Sequence, residues 1–247
     1  MKLVSLMAGS CLRLLPLTKD RHKVLLEIGG KSLIEHQLEA FKEVGIEETI
    51  FVVGHKAELI QSKLGENYNG IEIKYISNPH YSTHNINYSL YLAKEEVKGE
   101  EFIYFEADMF VHPKILKNIM DSCFDNCLAV DSNPQSDMVD TLVLGDNNKV
   151  TGLIFENHGD IRNTLKEPYV VGEFISIIKF NAKASIFLFN ELEKSKFEGP
   201  ITLNRVFERC FQIFPMHYIE AKGYPWVEID NYNDLRKARR LHSKSLF

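Results

Sequence analysis

The sequence predicts an α/β protein in which helices flank a mixed, mostly parallel sheet of the Rossmann-like type. In the first half of the chain, short apolar segments typical of buried strands alternate with amphipathic helical patterns. Parallel strands need such crossover helices, because a tight turn joins only antiparallel strands. In the second half, two apolar segments flank an Asp-Asn-Asn turn, which is typical of an antiparallel hairpin.

The elements of the first half alternate in a regular order. The pattern of Lys31–Val44 places Leu33, Ile34, Leu38 and Phe41 on one helical face, and Gly45 ends it. The predicted strands are Val4–Met7, Thr49–Gly54, Ile71–Ile76 and Glu101–Phe110. The predicted helices are Lys31–Val44, Lys56–Gly65 and Asn87–Val97.

The second half contains more strands that can pair antiparallel. The predicted strands are the hairpin Asp140–Phe155, Tyr169–Phe180, Met216–Ala221 and Trp226–Asp230. The predicted helices are Lys183–Lys194, Ile201–Phe214 and Asn233–His242. Because the sequence contains no linker-like, repetitive or low-complexity segment, we predict one domain over residues 1–247.

Composition and charge exclude several functional classes. Hydrophobic residues make up 45% and charged residues 26%, as in ordinary globular proteins. The net charge of -5 argues against a non-specific nucleic-acid binder, which needs a basic surface. There is no run of about 18 apolar residues, so no membrane span is predicted. The N-terminal apolar run is too short for a signal peptide, and Arg13 and Lys19 follow it, so we expect a cytoplasmic protein.

The four cysteines predict reduced thiols rather than a metal or disulfide framework. Cys123 and Cys127 form a C-x3-C pair, but no second Cys or His pair stands at zinc-ligand spacing. Cytosolic compartments keep thiols reduced. Cys11 alone leaves a redox site as an alternative, because it lies in a polar segment directly after the first strand.

Three polar clusters lie at the carboxyl ends of predicted strands: Gly9–Lys23, Glu106–Asp108 and Glu228–Asp230. In open α/β sheets, ligands bind at the carboxyl ends of the strands. In the first cluster, Gly9 permits close backbone approach to phosphate, and Arg13 and Lys23 supply positive charge. A solvated connection is the alternative. The P-loop and the G-x-G-x-x-G patterns are both missing, which disfavours a Rossmann dehydrogenase.

The other two clusters carry carboxylates that suit a hard cation. Asp108 follows a strongly apolar strand, and magnesium is usually held by one or two carboxylates together with substrate phosphates. In Pro225–Asp230, alternation puts Trp226, Glu228 and Asp230 on one face. The alternative for Asp108, and for Asp230 or its neighbour Asn231, is to cap the following helix.

Taken together, these motifs resemble the nucleotidyltransferase family that joins an NTP to a phosphorylated acceptor, with the phosphocholine-type cytidylyltransferases most similar. The opening "LMAGSCLRLLPLTKDRHK" resembles the family pattern L-A-A-G-x-G-x-R-L-x-P-L-T-x-x-x-P-K. "NINYSLYLAKEE" is similar to the N-N-x-Y-S-L segment of the phosphocholine type. "FEADMFVHPKIL", "VVGEFISIIKF" and "WVEIDNYNDLRKA" extend the resemblance over nearly the whole chain.

The resemblance implies a GT-A-like fold with a nucleotide-binding part over about residues 1–112 and an acceptor-binding part over about 113–247. It implies that Arg13 and Lys23 act on the phosphates as catalytic residues. Nucleotide contacts are implied for Met7, Ala8, Gly9, Ser10, Asn85, Ser89, Glu106 and Ala107. Acceptor contacts are implied for Tyr88, Glu173 and Trp226, and ligation of Mg²⁺ for Asp108, Asp230 and Glu228.

By the same resemblance, we expect transfer of CMP from CTP to a small phosphorylated acceptor with release of pyrophosphate, for the decoration of a surface polysaccharide or lipid. Two alternatives stay open: a sugar-1-phosphate nucleotidyltransferase that uses another NTP, and a non-catalytic nucleotide-binding relative. A homodimer is one possible assembly. A quaternary ammonium acceptor would suit a cation–π cage, with Tyr81, Tyr88, Tyr224 and Trp226 as candidates.

The chain departs from the family pattern at four points. Cys11 replaces the second glycine of the loop, which is expected to alter the backbone approach to the triphosphate. His22 replaces the proline before Lys23, which is expected to loosen that segment. Ile86 replaces an asparagine, and the segment around Phe155 and Glu156 lacks the lysine that sugar-type relatives often use.

Overall fold

A computed structural model describes residues 1–134, 141–155, 167–244 and 246. In this part of the chain, ten strands form one mixed sheet in the order β10-β11-β13-β9-β12-β7-β1-β4-β6-β5, and β12 also pairs with β10. Two small sheets, β2-β3 and β14-β8, complete the strand pairing. The strands are β1 Lys2–Met7, β2 Glu27–Ile28, β3 Lys31–Ser32, β4 Glu48–Val53, β5 Asn67–Tyr68, β6 Ile71–Ser77, β7 Phe102–Phe105, β8 Met109–Val111, β9 Cys127–Asp131, β10 Thr141–Asp146, β11 Lys149–Phe155, β12 Val170–Phe180, β13 His217–Glu220 and β14 Trp226–Glu228.

The predicted α/β architecture is confirmed, and the parallel pairings concentrate in the first half. Strand β1 lies parallel to both β4 and β7, and β4 lies parallel to β6. The second half joins this unit through β12, which runs antiparallel to β7 and to β9. The predicted hairpin is present as β10 and β11, although its first predicted residue, Asp140, lies outside the described residues.

The helices flank the sheet on both faces, as predicted. They are α1 Leu33–Glu43, α2 Ala57–Leu64, α3 Ile86–Leu92, α4 Lys94–Val97, α5 Pro113–Met120, α6 Ala182–Lys194, α7 Leu203–Ile213 and α8 Tyr232–Ser243. The predicted helix Asn87–Val97 is divided between α3 and α4, and α5 was not predicted. Two 3-10 turns, Leu12–Leu14 and Lys23–Leu25, lie in and just after the loop that follows β1.

Strand alternation explains how one sheet has two cores. In β1, Leu3 and Met7 pack in the cluster that contains residues of α1, α2 and α5. Val4 points to the other side, into the cluster built from α3, α6 and α7. A third cluster holds α8 against the β2-β3 hairpin through Ile28, Leu235 and their neighbours. No helix of the described residues is both long and apolar enough to cross a membrane.

The predicted strand Glu101–Phe110 is interrupted, and the interruption positions the site. Strand β7 ends at Phe105, and the backbone N–H of Met109 donates to the carbonyl of Glu106 at 3.3 Å, which closes a turn. Beyond the turn, β8 leaves the main sheet and pairs antiparallel with β14. The apolar pattern runs through both strands, so the sequence alone does not reveal this change of partner.

Gly172 lies in β12 close to the backbone of β9. Its φ is +149°, and a Cβ atom there would lie 2.3 Å from the carbonyl oxygen of Asp131. The backbone contact leaves no room for a side chain, because neither strand can move without breaking the ladder. Gly172 therefore sets the spacing of the two strands that carry Asp131 and Glu173.

We expect Gly172→Ala to lower the free energy of unfolding by about 2 to 4 kcal/mol, because it combines backbone strain with overpacking. Chemical denaturation would measure the change. Gly152→Ala in β11 is the matched control, since its Cβ would meet only side-chain atoms at 3.5 Å, and it should cost less than about 1 kcal/mol. Equal losses in the two variants would contradict the role of Gly172.

Candidate active site

The pairing of β8 with β14 brings the second and third polar clusters together. The backbone N–H of Ile229 donates to the carbonyl of Asp108 at 3.0 Å, and Glu228 lies opposite Met109 in the ladder. As a result, one carboxylate oxygen from each of Asp108, Glu228 and Asp230 lies within 4.8 Å of the others. The two clusters come from positions more than a hundred residues apart, and the pairing of β8 with β14 brings them together.

The helix-capping alternative is wrong for both aspartates. Helix α5 has His112 as its N-cap, whose Nδ1 accepts from the backbone N–H of Lys114. Helix α8 has Asn231 as its N-cap, and Asp234 completes the capping box. The Asp234 carboxylate also accepts from the backbone N–H of Asp230 at 3.0 Å, so the cap anchors the residue that precedes it. Asp108 and Asp230 are thus available for other chemistry.

Two basic side chains offset part of the negative charge of the carboxylate cluster. Lys23 Nζ lies 2.5 Å from Asp108 Oδ2 and 3.3 Å from Asp230 Oδ1, and Arg13 donates to Asp230 Oδ1 at 2.8 Å. Burial disfavours the charged form of Lys23, but the attraction of Asp108 and Asp230 outweighs it and raises the pKa of Lys23. Lys23 therefore stays protonated. The Arg13 side chain is 73% exposed, so it can swing toward a ligand.

The cluster suits a hard divalent cation. All three candidate ligands offer carboxylate oxygens, which are the donors that magnesium prefers. In addition, Asp108 Oδ1 is buried and forms no hydrogen bond with a described residue. A buried anionic oxygen without a partner is costly, so a ligand at this oxygen would offset a real penalty. The residues present therefore fit a metal site.

A cavity of about 470 Å³ joins the carboxylate cluster to the loop after β1. It is where most predicted nucleotide and phosphate contacts meet. The predicted residues at its wall are Met7, Ala8, Gly9, Ser10, Arg13, Lys23, Asn85, Ser89, Glu106, Asp108, Glu228 and Asp230. His84, which no sequence motif indicated, also lines it, together with Tyr81, considered above only for a cation cage, and Ile86, noted above only as a departure from the family pattern.

The loop after β1 keeps a glycine-type backbone at Cys11. This residue has φ 56° and ψ 33°, a left-handed conformation that glycine adopts more readily than cysteine. Thr18 Oγ1 donates to the Cys11 carbonyl at 2.8 Å and holds the strained residue in place. Cys11 therefore carries a side chain on a backbone conformation that glycine favours, and the expected effect on the approach to a triphosphate stays a prediction. Burial raises the pKa of the Cys11 thiol, which argues against the redox alternative.

His22 fastens the two ends of this loop, and the expectation that it loosens the segment is wrong. The residue is 1% exposed, its Nε2 lies 3.1 Å from the Gly9 carbonyl, and its Nδ1 accepts from the backbone N–H of Val24 at 3.3 Å. Because a carbonyl only accepts, the ring carries its proton on Nε2. Burial and the nearby Lys23 charge lower the pKa of His22 to about 4, so it stays neutral.

Glu106 stands at the turn between β7 and β8, beside Asp108. Burial and the neighbouring Asp108 carboxylate raise the pKa of Glu106 to about 7, although a hydrogen bond with Ser176 and the Lys23 charge act in the opposite direction. Ser176 itself has a φ of 43° and lies within a register shift of β12. Such bulges re-aim side chains beside functional sites.

The α3 end of the cavity contains a prearranged hydroxyl group. Asn78 donates its side-chain N–H to Ser89 Oγ at 2.8 Å, which leaves the Ser89 proton able to point toward a ligand. Asn85, predicted to contact the nucleotide, lies at the cavity wall, and its side-chain oxygen caps α3 by accepting from the Asn87 N–H. Its amide group donates to the Gly199 carbonyl at 3.1 Å. Asn85 therefore supports the wall of the cavity through its backbone contacts.

A second cavity of about 790 Å³ shares Arg13, Glu228 and Asp230 with the first. The predicted acceptor residues Glu173 and Trp226 line it. Its other charged residues are Asp131, Glu220, Lys222, Asp234 and Lys237, so carboxylates outnumber basic groups by six to three when the shared residues are included. The Trp226 indole donates to Asp131 Oδ2 at 2.8 Å, which fixes its ring at the wall.

Two predicted residues are not brought to either cavity. Ala107 is 3% exposed, and its carbonyl accepts from Gln37 inside the core. Tyr88 packs among His84, Phe197 and His80 beside the cavity mouth. Of the four aromatic residues considered for a cation cage, Tyr224 and Trp226 share the second cavity, while Tyr81 lines the first.

A family model described as "Nucleotidyl transferase" matches residues 2–147. The chain belongs to the nucleotidyl transferase family. It is therefore an enzyme of the class that takes an NTP and a phosphorylated acceptor. The match covers the loop after β1, including Arg13 and Lys23, and also Asp108.

Relatives extend the similarity to the rest of the chain. Choline-phosphate cytidylyltransferase from Streptococcus pneumoniae is 29% identical over 246 residues, which is 98% of each chain. A UTP–glucose-1-phosphate uridylyltransferase from Haloferax volcanii is 37% identical over 75 residues, or 30% of this chain and 31% of that one. The solved structure of CTP:phosphocholine cytidylyltransferase from Streptococcus pneumoniae matches with a TM-score of 0.73 at 24% identity over 98% of both chains, which shows the same fold.

We expect acid to destabilise the protein through His22. Its usual pKa of 6.5 falls to about 4 on folding, because the folded protein favours the neutral ring. The stability that neutral His22 contributes is therefore complete above pH 6.5 and is lost as the pH falls toward 4. The loss amounts to about 3 kcal/mol in the free energy of unfolding. Denaturation curves at several pH values would measure it.

His22→Gln supplies the control, because glutamine does not titrate and keeps one donor for the Gly9 carbonyl. The wild type should lose about 3 kcal/mol more than this variant between pH 6.5 and 4. Parallel pH profiles for the two proteins would contradict the prediction, because they would show that folding does not lower the pKa of His22.

Proposed function

We propose that the protein transfers CMP from CTP to a small phosphorylated acceptor that carries a cationic group, such as phosphocholine, and releases pyrophosphate. The observation that carries the proposal is that two cavities meet at Glu228 and Asp230. The first has the basic groups and the loop that suit a triphosphate. The second has the carboxylates and aromatic rings that suit a cation. The 29% identity with a choline-phosphate cytidylyltransferase supports the same assignment.

The lining of the two cavities also supports separate binding regions for the nucleotide and the acceptor within one domain. Apart from Glu228 and Asp230, the first cavity is lined by residues from 1–112, and apart from Arg13 the second is lined by residues from 113–247. We infer that the first part binds the nucleotide and the second part binds the acceptor. The shared residues lie where the reacting phosphates would meet.

In the proposed reaction, an oxygen of the acceptor phosphate attacks the α-phosphorus of CTP. The bond from that phosphorus to the bridging oxygen breaks, and pyrophosphate leaves with the electron pair. The chain contributes position and charge, because Lys23 is held protonated beside the cavity and Arg13 can present its planar guanidinium to two phosphate oxygens. The attacking phosphate is itself the nucleophile, so the mechanism uses no covalent protein intermediate.

Asp108 and Asp230, with Glu228 as a third candidate, would hold a magnesium ion. When bound, the ion would neutralise part of the triphosphate charge and polarise its oxygens. The product, a cytidine diphosphate ester of a cationic alcohol, would suit the decoration of a surface polysaccharide or lipid.

A sugar-1-phosphate acceptor with another NTP is the second candidate, favoured by the partial match to a uridylyltransferase. A screen of CTP, UTP, GTP and dTTP against phosphocholine, phosphoethanolamine and glucose-1-phosphate separates the two candidates. We expect the fastest pyrophosphate release from CTP with a cationic acceptor. Release with glucose-1-phosphate alone would reject the proposal in favour of the second candidate.

We expect Lys23→Met and Asp108→Asn each to slow pyrophosphate release at least a hundredfold, because each removes charge stabilisation at the phosphates. The assay follows pyrophosphate under saturating CTP and acceptor. Lys19→Met, in the same loop but outside the cavity-lining set, is the matched control and should retain nearly full activity. Near-wild-type rates for Lys23→Met or Asp108→Asn would contradict the mechanism.

We expect Glu173→Gln to raise the KM for phosphocholine about tenfold while the KM for CTP changes less than twofold. The substitution keeps the shape of a side chain that is 4% exposed and removes one negative charge from the second cavity. An uncharged isostere, in which carbon replaces the quaternary nitrogen of phosphocholine, should lose no affinity. An equal rise in KM for both acceptors would show that Glu173 acts on shape rather than charge.

A further inference from the structure

Gln37 is a polar side chain buried inside an otherwise apolar helix face. It lies in α1 and is 2% exposed, among Ile34, Leu38 and Phe41, which pack into the core below the sheet. Burying an amide in such surroundings is costly unless its hydrogen bonds are made. The position therefore calls for a specific partner.

The partners of Gln37 are the two backbone carbonyls that flank Asp108. Its Nε2 donates to the carbonyl of Ala107 at 2.9 Å and to that of Met109 at 2.7 Å. The carbonyl of Asp108 itself faces the other way and accepts from the backbone N–H of Ile229 at 3.0 Å. Three consecutive carbonyls are thus held from two sides, and Asp108 is the central residue.

We infer that Gln37 is a positioning residue that orients the Asp108 carboxylate, which contacts Lys23 and would hold the proposed magnesium ion. Asp108 belongs to the turn that separates β7 from β8, so the main sheet does not fix its backbone. The Gln37 amide replaces that missing support on one side, and β14 supplies it on the other. The inference rests on the proposed function, because it takes Asp108 to be a metal ligand.

The energetic cost of burying the unpaired side-chain oxygen of Gln37 argues against a simple space-filling role. Its Oε1 is buried and forms no hydrogen bond with a described residue. A methionine or leucine would fill the same volume without leaving a buried acceptor unpaired. The two donated hydrogen bonds are what a glutamine adds at this position, and both go to the segment that carries Asp108.

The test is the binding of Mn²⁺, used as a spectroscopic probe for magnesium and followed by electron paramagnetic resonance without nucleotide or acceptor. Gln37→Met keeps the volume and removes both donors, and we expect it to weaken Mn²⁺ binding tenfold or more. Pyrophosphate release by this variant should recover at high magnesium concentration, because the ligand set itself is intact. If Gln37→Met does not fold, the same measurement is made on Gln37→Asn, which keeps the amide group but shortens the side chain.

Asn126→Leu is the matched control. Asn126 is also a buried amide, 3% exposed, and it bonds to backbone groups of Asn181 and Pro215. We expect this variant to lose stability without losing Mn²⁺ affinity. A Gln37→Met protein that binds Mn²⁺ as tightly as the wild type, or an Asn126→Leu protein that loses as much affinity, would overturn the inference.

Asp108→Asn separates this inference from the proposed function. If Asp108→Asn abolishes Mn²⁺ binding and Gln37→Met leaves it intact, only the role of Gln37 is rejected. If Asp108→Asn leaves Mn²⁺ binding unchanged, the metal assignment in the proposed function fails, and the role of Gln37 fails with it. Weakened binding in both variants, with the Asn126→Leu control intact, supports both assignments.

Discussion

Electrostatic repulsion among three clustered carboxylates is the constraint on which the site depends. Asp108, Glu228 and Asp230 each place an oxygen within 4.8 Å of the others, so the folded chain must both hold them there and offset their charge. Lys23 and Arg13 supply the offsetting charge from the loop after β1. The same pairing ties the loop to the far end of the chain. The cations that suit a triphosphate are therefore also the ones that stabilise the acidic cluster.

The fold holds this cluster through backbone groups rather than through side-chain packing alone. His22 binds the Gly9 carbonyl, Gln37 binds the carbonyls beside Asp108, and Asp234 accepts from the N–H of Asp230. Each supporting side chain reaches a segment distant in sequence or closes a turn beside the site. Side chains that hydrogen-bond to backbone groups in this way restrict the backbone to one arrangement. A rigid frame of this kind suits an enzyme that works by positioning and charge.

Much of the site could be predicted from sequence, because polar residues at strand ends stand out against apolar strands. Lys23, Asp108 and Asp230 were found on that ground and by resemblance, and the structure brings them together. The break between β7 and β8 could not be predicted, since its apolar pattern continues through Phe110 and does not identify the strand that pairs with it. The role of His22 was misjudged for a related reason: a substitution in a motif shows what is lost, whereas the new partner, the Gly9 carbonyl, is visible only in three dimensions.

The β8-β14 pair also determines when the site can first exist. Lys23 and Asp230 are separated by 207 residues, so during synthesis the loop emerges long before its acidic partner. At about 5 to 20 residues per second, the interval is roughly 10 to 40 seconds. Throughout it, the basic loop can attract phosphates, but the carboxylate cluster is incomplete. The site therefore forms only after the last part of the chain has been synthesised. A nascent chain that stops early has the basic loop but no complete carboxylate cluster.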